Sequence, residues 1–230
     1  MKNLSLAAFA ATMLISASAS AHISVASGPG FANVSQKITF GITHGCNGAD
    51  TLKIKVSIPA GVTGVRALYS DFGKPSVEKD ASNNVTAVTW QKADADLQAE
   101  DIGFYELTIR ARLPNAPFSR LQFNVEQTCR TAAGVVEVTH WDQPPGATTG
   151  EPAPLVTVVP ARQPGWNKYV LPANIAAADV PMYFGDALIA WRGAAAYSSN
   201  ANTVAQITAT PGVTMLGGDL AANDEIWVRY

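Results

Sequence analysis

The sequence predicts an all-β protein, built as an antiparallel β-sandwich that is followed by a small β-rich C-terminal module. Short segments rich in β-branched and aromatic residues recur about every 10 to 20 residues. Most of them are bounded by Gly, Pro, Asn or Asp. Several alternate apolar and polar residues, which predicts strands with one buried face. Strands at this spacing are typical of sandwiches of the immunoglobulin or cupredoxin kind.

Six segments before residue 145 carry the strand pattern. In chain order they are residues 34–42, 51–59, 84–90, 104–114, 120–129 and 135–141. The second alternates cleanly, and its apolar side chains Leu52, Ile54, Val56 and Ile58 share one face. Asn83 and Asn84 predict a hairpin turn before the third, because Asn tolerates positive φ. Residues 93–101 predict a turn and not a full helix.

The fourth segment assigns its side chains to two faces. Tyr105, Leu107 and Ile109 fall on one side of the predicted strand, and Glu106, Thr108 and Arg110 fall on the other. The first set is apolar, apart from one hydroxyl, and the second is polar. On this pattern alone, Glu106 is interpreted as a solvated glutamate that pairs with a charge across strands.

A change of composition predicts the end of the sandwich. Residues 142–165 are rich in Pro and Gly, which indicates a last strand and a linker. We therefore predict a sandwich over residues 22–160 and a separate β-rich module of unknown role over residues 165–230. In the module, residues 186–193 and 224–230 have strand patterns, whereas residues 200–210 fit a helix or a strand.

The module holds an unusual number of large aromatic residues. We expect them to build its small core, since a small core needs large side chains. Exposure for binding a sugar or a protein is the alternative. The residues concerned are Trp166, Tyr183, Phe184, Trp191, Tyr197 and Trp227.

The N-terminus has the three parts of a secretory signal peptide. Lys2 precedes a short apolar run over residues 4–15, and Ala19-Ser20-Ala21 matches the small-residue cleavage pattern. We predict that residues 1–21 are removed, so that His22 begins a periplasmic or secreted protein; an uncleaved N-terminal anchor is the alternative. No later run approaches roughly 18 consecutive apolar residues, so we expect no transmembrane segment after cleavage.

Composition and motifs exclude several function classes. The chain has a formal net charge of −2 and lacks a basic run, which argues against a nucleic-acid partner. It has no GxSxG or HExxH motif and no obvious pair of catalytic carboxylates. We therefore expect a binding protein and not an enzyme.

The two cysteines, Cys46 and Cys129, predict a disulfide in an oxidising compartment. The bond would close a long loop and stabilise the fold by on the order of 4 kcal/mol in the chain-entropy model. The alternative is a copper site made of two thiolates, although the pair lacks the close CxxC spacing.

A first-position histidine has a specific metal chemistry. After cleavage, His22 would carry both a free α-amine and an imidazole, so that one residue can chelate a metal. An α-amine has an unperturbed pKa of about 7.7 to 8.0 and yields its proton to a metal near neutral pH. Two nitrogen donors of this kind suit Cu(II). The only other histidines are His44 and His140.

Several short motifs then occur in a recognisable order: AHISV (21–25), THGC (43–46), IPAGV (58–62), FYELTIRARLP (104–114), LQFNVEQTC (121–129) and HW (140–141). Over roughly residues 22–160 the chain resembles the YcnI-like family of exported copper-binding domains. The resemblance implies a monohistidine brace, in which His22 holds Cu(II) with help from Glu106. It also implies that Trp141 lies close to the metal.

The other histidines receive lesser roles. His44 precedes Gly45-Cys46 in a predicted turn, and we expect it to support the fold or the ligands. His140 neighbours Trp141 on a strand and should point to the opposite face.

Three functions compete on these observations. The favoured one is Cu(II) binding and transfer to a copper-handling protein, as a copper chaperone or homeostasis module. Release would follow ligand exchange, helped by protonation of the amine or imidazole, so affinity should fall below about pH 6. The alternatives are a metal-free adhesion or assembly module and a copper-dependent polysaccharide monooxygenase, which would require His44 or His140 on the metal.

Overall fold

A computed structural model describes residues 22–230 of the chain, so the predicted signal peptide, residues 1–21, lies outside the described residues. The strands up to residue 160 are β1 (Ser24–Val25), β2 (Gly30–Phe31), β3 (Ser35–Ile42), β4 (Asp50–Ser57), β5 (Thr63–Ala67), β6 (Ser76–Lys79), β7 (Val85–Gln91), β8 (Tyr105–Arg112), β9 (Arg120–Gln122), β10 (Val125–Arg130), β11 (Val136–Gln143), β12 (Glu151–Pro152) and β13 (Leu155–Val159).

These strands form the predicted all-β sandwich. One sheet has the order β1-β3-β8-β5, the other has the order β12-β11-β10-β4-β7-β6, and a small sheet β2-β13-β9 adjoins them. Apolar side chains from both main sheets form one buried cluster. Across it, the rings of Phe40 and Phe123 meet edge to face at 5.3 Å between centroids. The fold class predicted from the strand pattern is therefore confirmed.

Strand β8 shows why the alternation predicted its faces correctly. Leu107 and Ile109 have no exposed surface, whereas Glu106 and Arg110 are exposed. β8 pairs antiparallel with β3 along its whole length, so this alternation is locked in register.

The predicted turns are also present. β6 and β7 form a hairpin in which Asn83 has a φ of 66° and Asp80 Oδ1 accepts hydrogen bonds from the backbone N–H groups of Ser82 and Asn84. Asn is suited to this turn because its side chain tolerates the left-handed conformation. Within residues 93–101 there is a single 3₁₀ turn, Asp94–Asp96.

Cys46 and Cys129 form the predicted disulfide, with 5.7 Å between their Cα atoms. The bond ties the loop after β3 to strand β10. Both sulfur atoms are consumed by it, so the thiolate copper alternative has no ligands.

The C-terminal module consists of β14 (Trp166–Val170), α1 (Val180–Phe184), β15 (Ile189–Arg192), β16 (Ala195–Tyr197), α2 (Ala201–Ala209), β17 (Thr214–Met215) and β18 (Glu225–Arg229), with a 3₁₀ turn at Ala177–Asp179. Its sheet has the order β14-β18-β15-β16-β17. Strands β15 and β18 confirm the two strand predictions. Within residues 200–210 the segment Ala201–Ala209 is a helix, and Asn200 caps it by accepting hydrogen bonds from the N–H groups of Asn202 and Thr203.

The expectation that the module's aromatic residues build its core is only partly right. Tyr183 and Phe184 are buried in its hydrophobic cluster, but Trp166 and Trp227 are 51% and 45% exposed. The cause is the alternation along β18. Ile226 and Val228 face the core, and Trp227 between them faces the other side of the sheet.

The module packs against the end of the sandwich. Phe118, from the loop before β9, belongs to the module's hydrophobic cluster, and its ring lies 5.6 Å from that of Tyr169 and 5.4 Å from that of Tyr183. Arg120 and Asp179 form an ion pair at 3.6 Å beside this contact. Over residues 22–230, no helix has the length and apolar character needed to cross a membrane.

Candidate metal centre

Strand β1 holds the start of the described chain against the sandwich. Ser24 and Val25 pair with Gly41 and Phe40 of β3, and Ile23 is 3% exposed within the main hydrophobic cluster. His22 precedes this anchor and is itself exposed. The fold therefore presents His22 at the surface from a fixed backbone and not from a loose tail.

Trp141 of β11 lies beside His22. The two rings meet edge to face, with 6.1 Å between centroids and an interplanar angle of 89°. Trp141 is only 3% exposed and pairs with Val125 on the core side of the sheet. Two of the residues singled out by the sequence, His22 and Trp141, are thus brought together from opposite sheets.

A buried glutamine fixes the orientation of Trp141. The indole N–H of Trp141 donates to Gln127 Oε1 at 3.0 Å. The Gln127 amide donates in turn to Thr51 Oγ1 at 2.9 Å and to the His44 carbonyl at 2.7 Å. Gln127 has no exposed surface, so these bonds satisfy its polar atoms inside the core.

Sequence reasoning missed Gln127, although β10 contains the signal. Gln127 shares the inward face with Val125 and Cys129, and a polar side chain in the middle of an apolar alternation needs buried partners.

Glu106 lies on the outer face of the sheet that contains β1. Ser24, Gly41 and Glu106 are successive partners across β1, β3 and β8, so they share one face. The ladder covers only Ser24 and Val25, and His22 precedes it, so the register fixes no distance between His22 and Glu106. Direct coordination by both would require the Glu106 side chain to extend from the outer face to the position where His22 contacts Trp141.

Glu151 is a carboxylate that the sequence reasoning did not select. It lies on β12, is half-buried, and is the parallel partner of Trp141 on β11. Paired residues point to the same side of a sheet, so Glu151 faces the side on which Trp141 contacts His22. Its position became visible only through the pairing of β11 with β12.

The remaining histidines do not join this contact. His140 is exposed on the face of β11 opposite to Trp141, as predicted, and pairs with Glu126. His44 donates a hydrogen bond from Nδ1 to the carbonyl of Gly45. Neither arrangement provides the second histidine that copper-dependent monooxygenase chemistry requires.

The described residues contain no preassembled metal cluster. Over residues 22–230, no group of three or more His, Cys, Asp or Glu side chains is arranged to hold a metal ion. A metal at this end of the sandwich would therefore depend on the two nitrogens that His22 itself can offer after cleavage. One further oxygen donor, from a glutamate or water, would complete the set.

A buried ion pair lies at the start of strand β4, at the end of that strand away from the level of Trp141. Lys92 Nζ is 2.6 Å from Asp50 Oδ2, and the Tyr105 hydroxyl donates to Asp50 Oδ1 at 2.9 Å. Burial raises the pKa of Asp50, but hydrogen bonds from the Gln98 N–H, Lys92 and Tyr105 outweigh it, so the pKa lies below its ordinary value. The group is a fixed negative charge that holds residues 92–98 on the sandwich.

Comparisons with known proteins agree with this architecture. A family model described as a domain of unknown function, DUF1775, matches residues 22–158. The crystal structure of an uncharacterized protein from Nocardia farcinica with an immunoglobulin-like fold is similar, with 24% identity and a TM-score of 0.50. The match covers 60% of this chain and 99% of that one.

A second solved structure, BcpA*(D312A), the major pilin subunit of Bacillus cereus, matches with 9% identity and a TM-score of 0.35. That match covers 88% of this chain and 52% of the pilin. A comparison with curated proteins finds no match. The Nocardia farcinica structure supports the immunoglobulin-like fold of the sandwich.

Proposed function

We propose that this chain, which belongs to the DUF1775 family, binds Cu(II) outside the cytoplasm. The ligand would be His22 as the N-terminal residue of the mature protein. One observation carries the proposal: the His22 ring lies 6.1 Å from the buried ring of Trp141, at the exposed end of a sandwich. A surface histidine held against a buried indole is a suitable ligand position, because it is accessible on one side and shielded from water on the other.

The donor chemistry supports copper in particular. Cleavage after Ala21 would free the α-amine of His22, and the amine and imidazole of one residue form a chelate ring. Nitrogen donors in this arrangement favour Cu(II), which also heads the affinity order of divalent first-row metals. Ile23 and strand β1 restrict the backbone on which both nitrogens sit, so less ordering is needed on binding.

The oxygen donor has two candidates. Glu106 is the one implied by the resemblance to copper-binding domains, and it shares the outer face of the β1 sheet with Ser24. Glu151 is favoured by its register with Trp141. A Glu106→Gln variant and a Glu151→Gln variant separate them, because the amide keeps the size of the side chain and removes its charge.

We propose a carrier or copper chaperone and not an enzyme. The ligands are few, and the metal would lie at the surface, where a copper-handling partner protein can exchange ligands with it. Periplasmic or secreted localisation belongs to the same proposal, since it depends on the export signal read in residues 1–21.

The test is Cu(II) binding, by calorimetry and electron paramagnetic resonance, to two forms of the protein. One begins at His22, and the other carries a single additional alanine before it. We expect tight one-to-one binding with nitrogen hyperfine structure in the first, and loss of affinity with a changed spectrum in the second, because the additional residue converts the amine into an amide.

His140→Ala provides the matched control, since it removes an exposed histidine on the opposite face of β11 and should leave binding unchanged. Trp141→Phe should lower the affinity about tenfold through loss of the shield. Equal and weak binding in the two N-terminal forms would contradict the proposal.

A further inference from the structure

Three tryptophans lie together on the outer face of the C-terminal sheet. Trp191 of β15 and Trp227 of β18 are direct cross-strand partners. Trp166 of β14 pairs with Arg229, two residues beyond Trp227 on the same strand, and so lies diagonal to Trp227. We call Trp166, Trp191 and Trp227 the tryptophan platform. It extends over two strand spacings, about 10 Å.

The platform is open to solvent. Trp166 and Trp227 are 51% and 45% exposed, and all three indoles line a shallow surface cavity of about 600 Å³ together with Gly193 and Glu225. A Cβ at Gly193 would meet no atom within 4 Å, so the cavity is not closed at this end. A monomeric protein rarely exposes large aromatic residues as a group unless they bind something.

Charged side chains hold the indoles and surround them. The Lys168 ammonium lies 5.8 Å from the ring centroid of Trp227, and the Arg229 guanidinium lies 5.9 Å from that of Trp166. Lys168 is fixed by an ion pair with Glu225 at 2.6 Å. The platform is therefore an array of apolar rings with donors and acceptors between them, on a rigid three-stranded base.

We propose that the tryptophan platform binds a polysaccharide of β-1,4-linked pyranose units. Where the units have the glucose configuration, as in glucose and N-acetylglucosamine, the ring substituents are equatorial, so each sugar presents a flat C–H face and a rim of hydroxyl groups. The C–H faces stack on the indoles, and the hydroxyl rims hydrogen-bond to Lys168, Glu225 and Arg229. Array length suits a chain of several sugars and not a single one.

The charged residues distinguish this occupant from a protein. The centres of protein–protein interfaces are depleted of Lys and Glu. Here Lys168 and Glu225 lie within the array and are partly exposed, at 43% and 58% of their side-chain surface. Desolvating them against a protein would carry a cost, whereas hydroxyl groups can replace their bound water.

The experiment measures binding of cellohexaose and of chitohexaose to the chain starting at His22, by calorimetry with a metal chelator present. The chelator makes the result independent of copper. We expect cellohexaose, chitohexaose or both to bind. Comparing the two distinguishes a glucan from an N-acetylated chain as the ligand. The α-linked maltohexaose should bind at least about tenfold more weakly. Trp227→Ala should lower the affinity at least about tenfold.

Tyr69→Ala, which removes an aromatic side chain 80% exposed on the sandwich, is the matched control and should bind like the unmodified chain. Trp166→Ala, on the edge strand β14, provides a second variant if Trp227→Ala does not fold. Failure of both β-linked oligosaccharides to bind would overturn the proposal, as would binding that neither tryptophan variant weakens. Self-association of the chain that is lost in Trp227→Ala, without sugar binding, would also overturn it and assign the face to a second copy.

Discussion

The sandwich and the C-terminal module use tryptophan in opposite ways. In the sandwich, Trp90 and Trp141 are buried, and their indole N–H groups donate to the Leu68 carbonyl at 3.1 Å and to Gln127 at 3.0 Å. In the module, Trp166 and Trp227 stand on an outer sheet face and are about half exposed.

The two kinds of position differ in how much of the indole is buried and in whether its N–H needs a hydrogen-bond partner inside the protein. A buried indole contributes apolar area only if its N–H finds a partner, so the sandwich surrounds its tryptophans with polar networks. A half-exposed indole contributes less buried area to folding, and for Trp166 and Trp227 we propose a ligand. Burial and the partner of the indole N–H therefore separate the tryptophans that build the sandwich from those that we propose to bind a ligand.

The most direct way to break this comparison is to truncate one tryptophan of each kind. Trp90→Ala should lower the free energy of unfolding by about 3–5 kcal/mol, because it leaves a large cavity and an unpaired carbonyl. Trp227→Ala should cost less, about 1 kcal/mol, because its indole is already 45% exposed and loses mainly its cross-strand contact with Trp191. Urea denaturation followed by circular dichroism measures both, and similar losses in the two variants would refute the distinction.

The same contrast applies to carboxylates. Asp50→Asn leaves the Lys92 ammonium buried without its partner charge and should cost about 3 kcal/mol. In the module, Asp224→Asn should cost less, because Asp224 and its partner Arg192 are 25% and 37% exposed. Thermal unfolding at pH 7 compares them, and a larger loss for Asp224→Asn would contradict the expectation.

The pH dependence of Asp50 sharpens that comparison. Its pKa in the folded protein lies below the ordinary value of 3.8, so its stabilisation is full above about pH 4. The contribution is lost as the pH falls through the folded-state pKa, since protonation then removes the charge that Lys92 requires. Unfolding midpoints between pH 7 and pH 2 should therefore fall more steeply for the unmodified chain than for Asp50→Asn.

Gln127 tests whether the network around Trp141 is needed for the indole to be buried. Gln127→Leu should lower the free energy of unfolding by about 1–3 kcal/mol, because it leaves the buried indole N–H of Trp141 without a hydrogen-bond acceptor. Combining it with Trp141→Phe should recover part of that loss, since the stranded donor is then absent. A double-mutant cycle in urea gives the coupling between the two residues, and strictly additive losses would show that the hydrogen bond is not what couples them.

The smallest expected effect concerns the charges of the tryptophan platform. Lys168→Ala removes an exposed ion pair with Glu225 and should change the free energy of unfolding by only about 0–1 kcal/mol. It should weaken oligosaccharide binding more visibly, because it removes a hydrogen-bond donor beside Trp227. If Lys168→Ala lowered the free energy of unfolding strongly but left the affinity for oligosaccharide unchanged, Lys168 would be a residue that supports folding and not binding.

Local pattern determined much of the fold. The alternation of β8 separated the face of Leu107 from the face of Glu106, because a strand repeats every two residues whatever surrounds it. The cysteine pair and the hairpin at Asn83 were equally visible, since each depends on composition or on a short stretch of chain. The cleavage pattern in residues 1–21 predicts that His22 begins the mature chain, and that prediction lies outside the described residues.

The detailed contacts between distant segments of the chain were decided by the tertiary structure. Strand pairing places Glu151 beside Trp141, and sheet order sets the geometry of the contact between His22 and Trp141, which the resemblance implied only as closeness to a metal. The outward face of Trp227 depends in the same way on which side of its sheet the module covers. Pairing between strands is set by the packing of the whole chain, so no local pattern contains it.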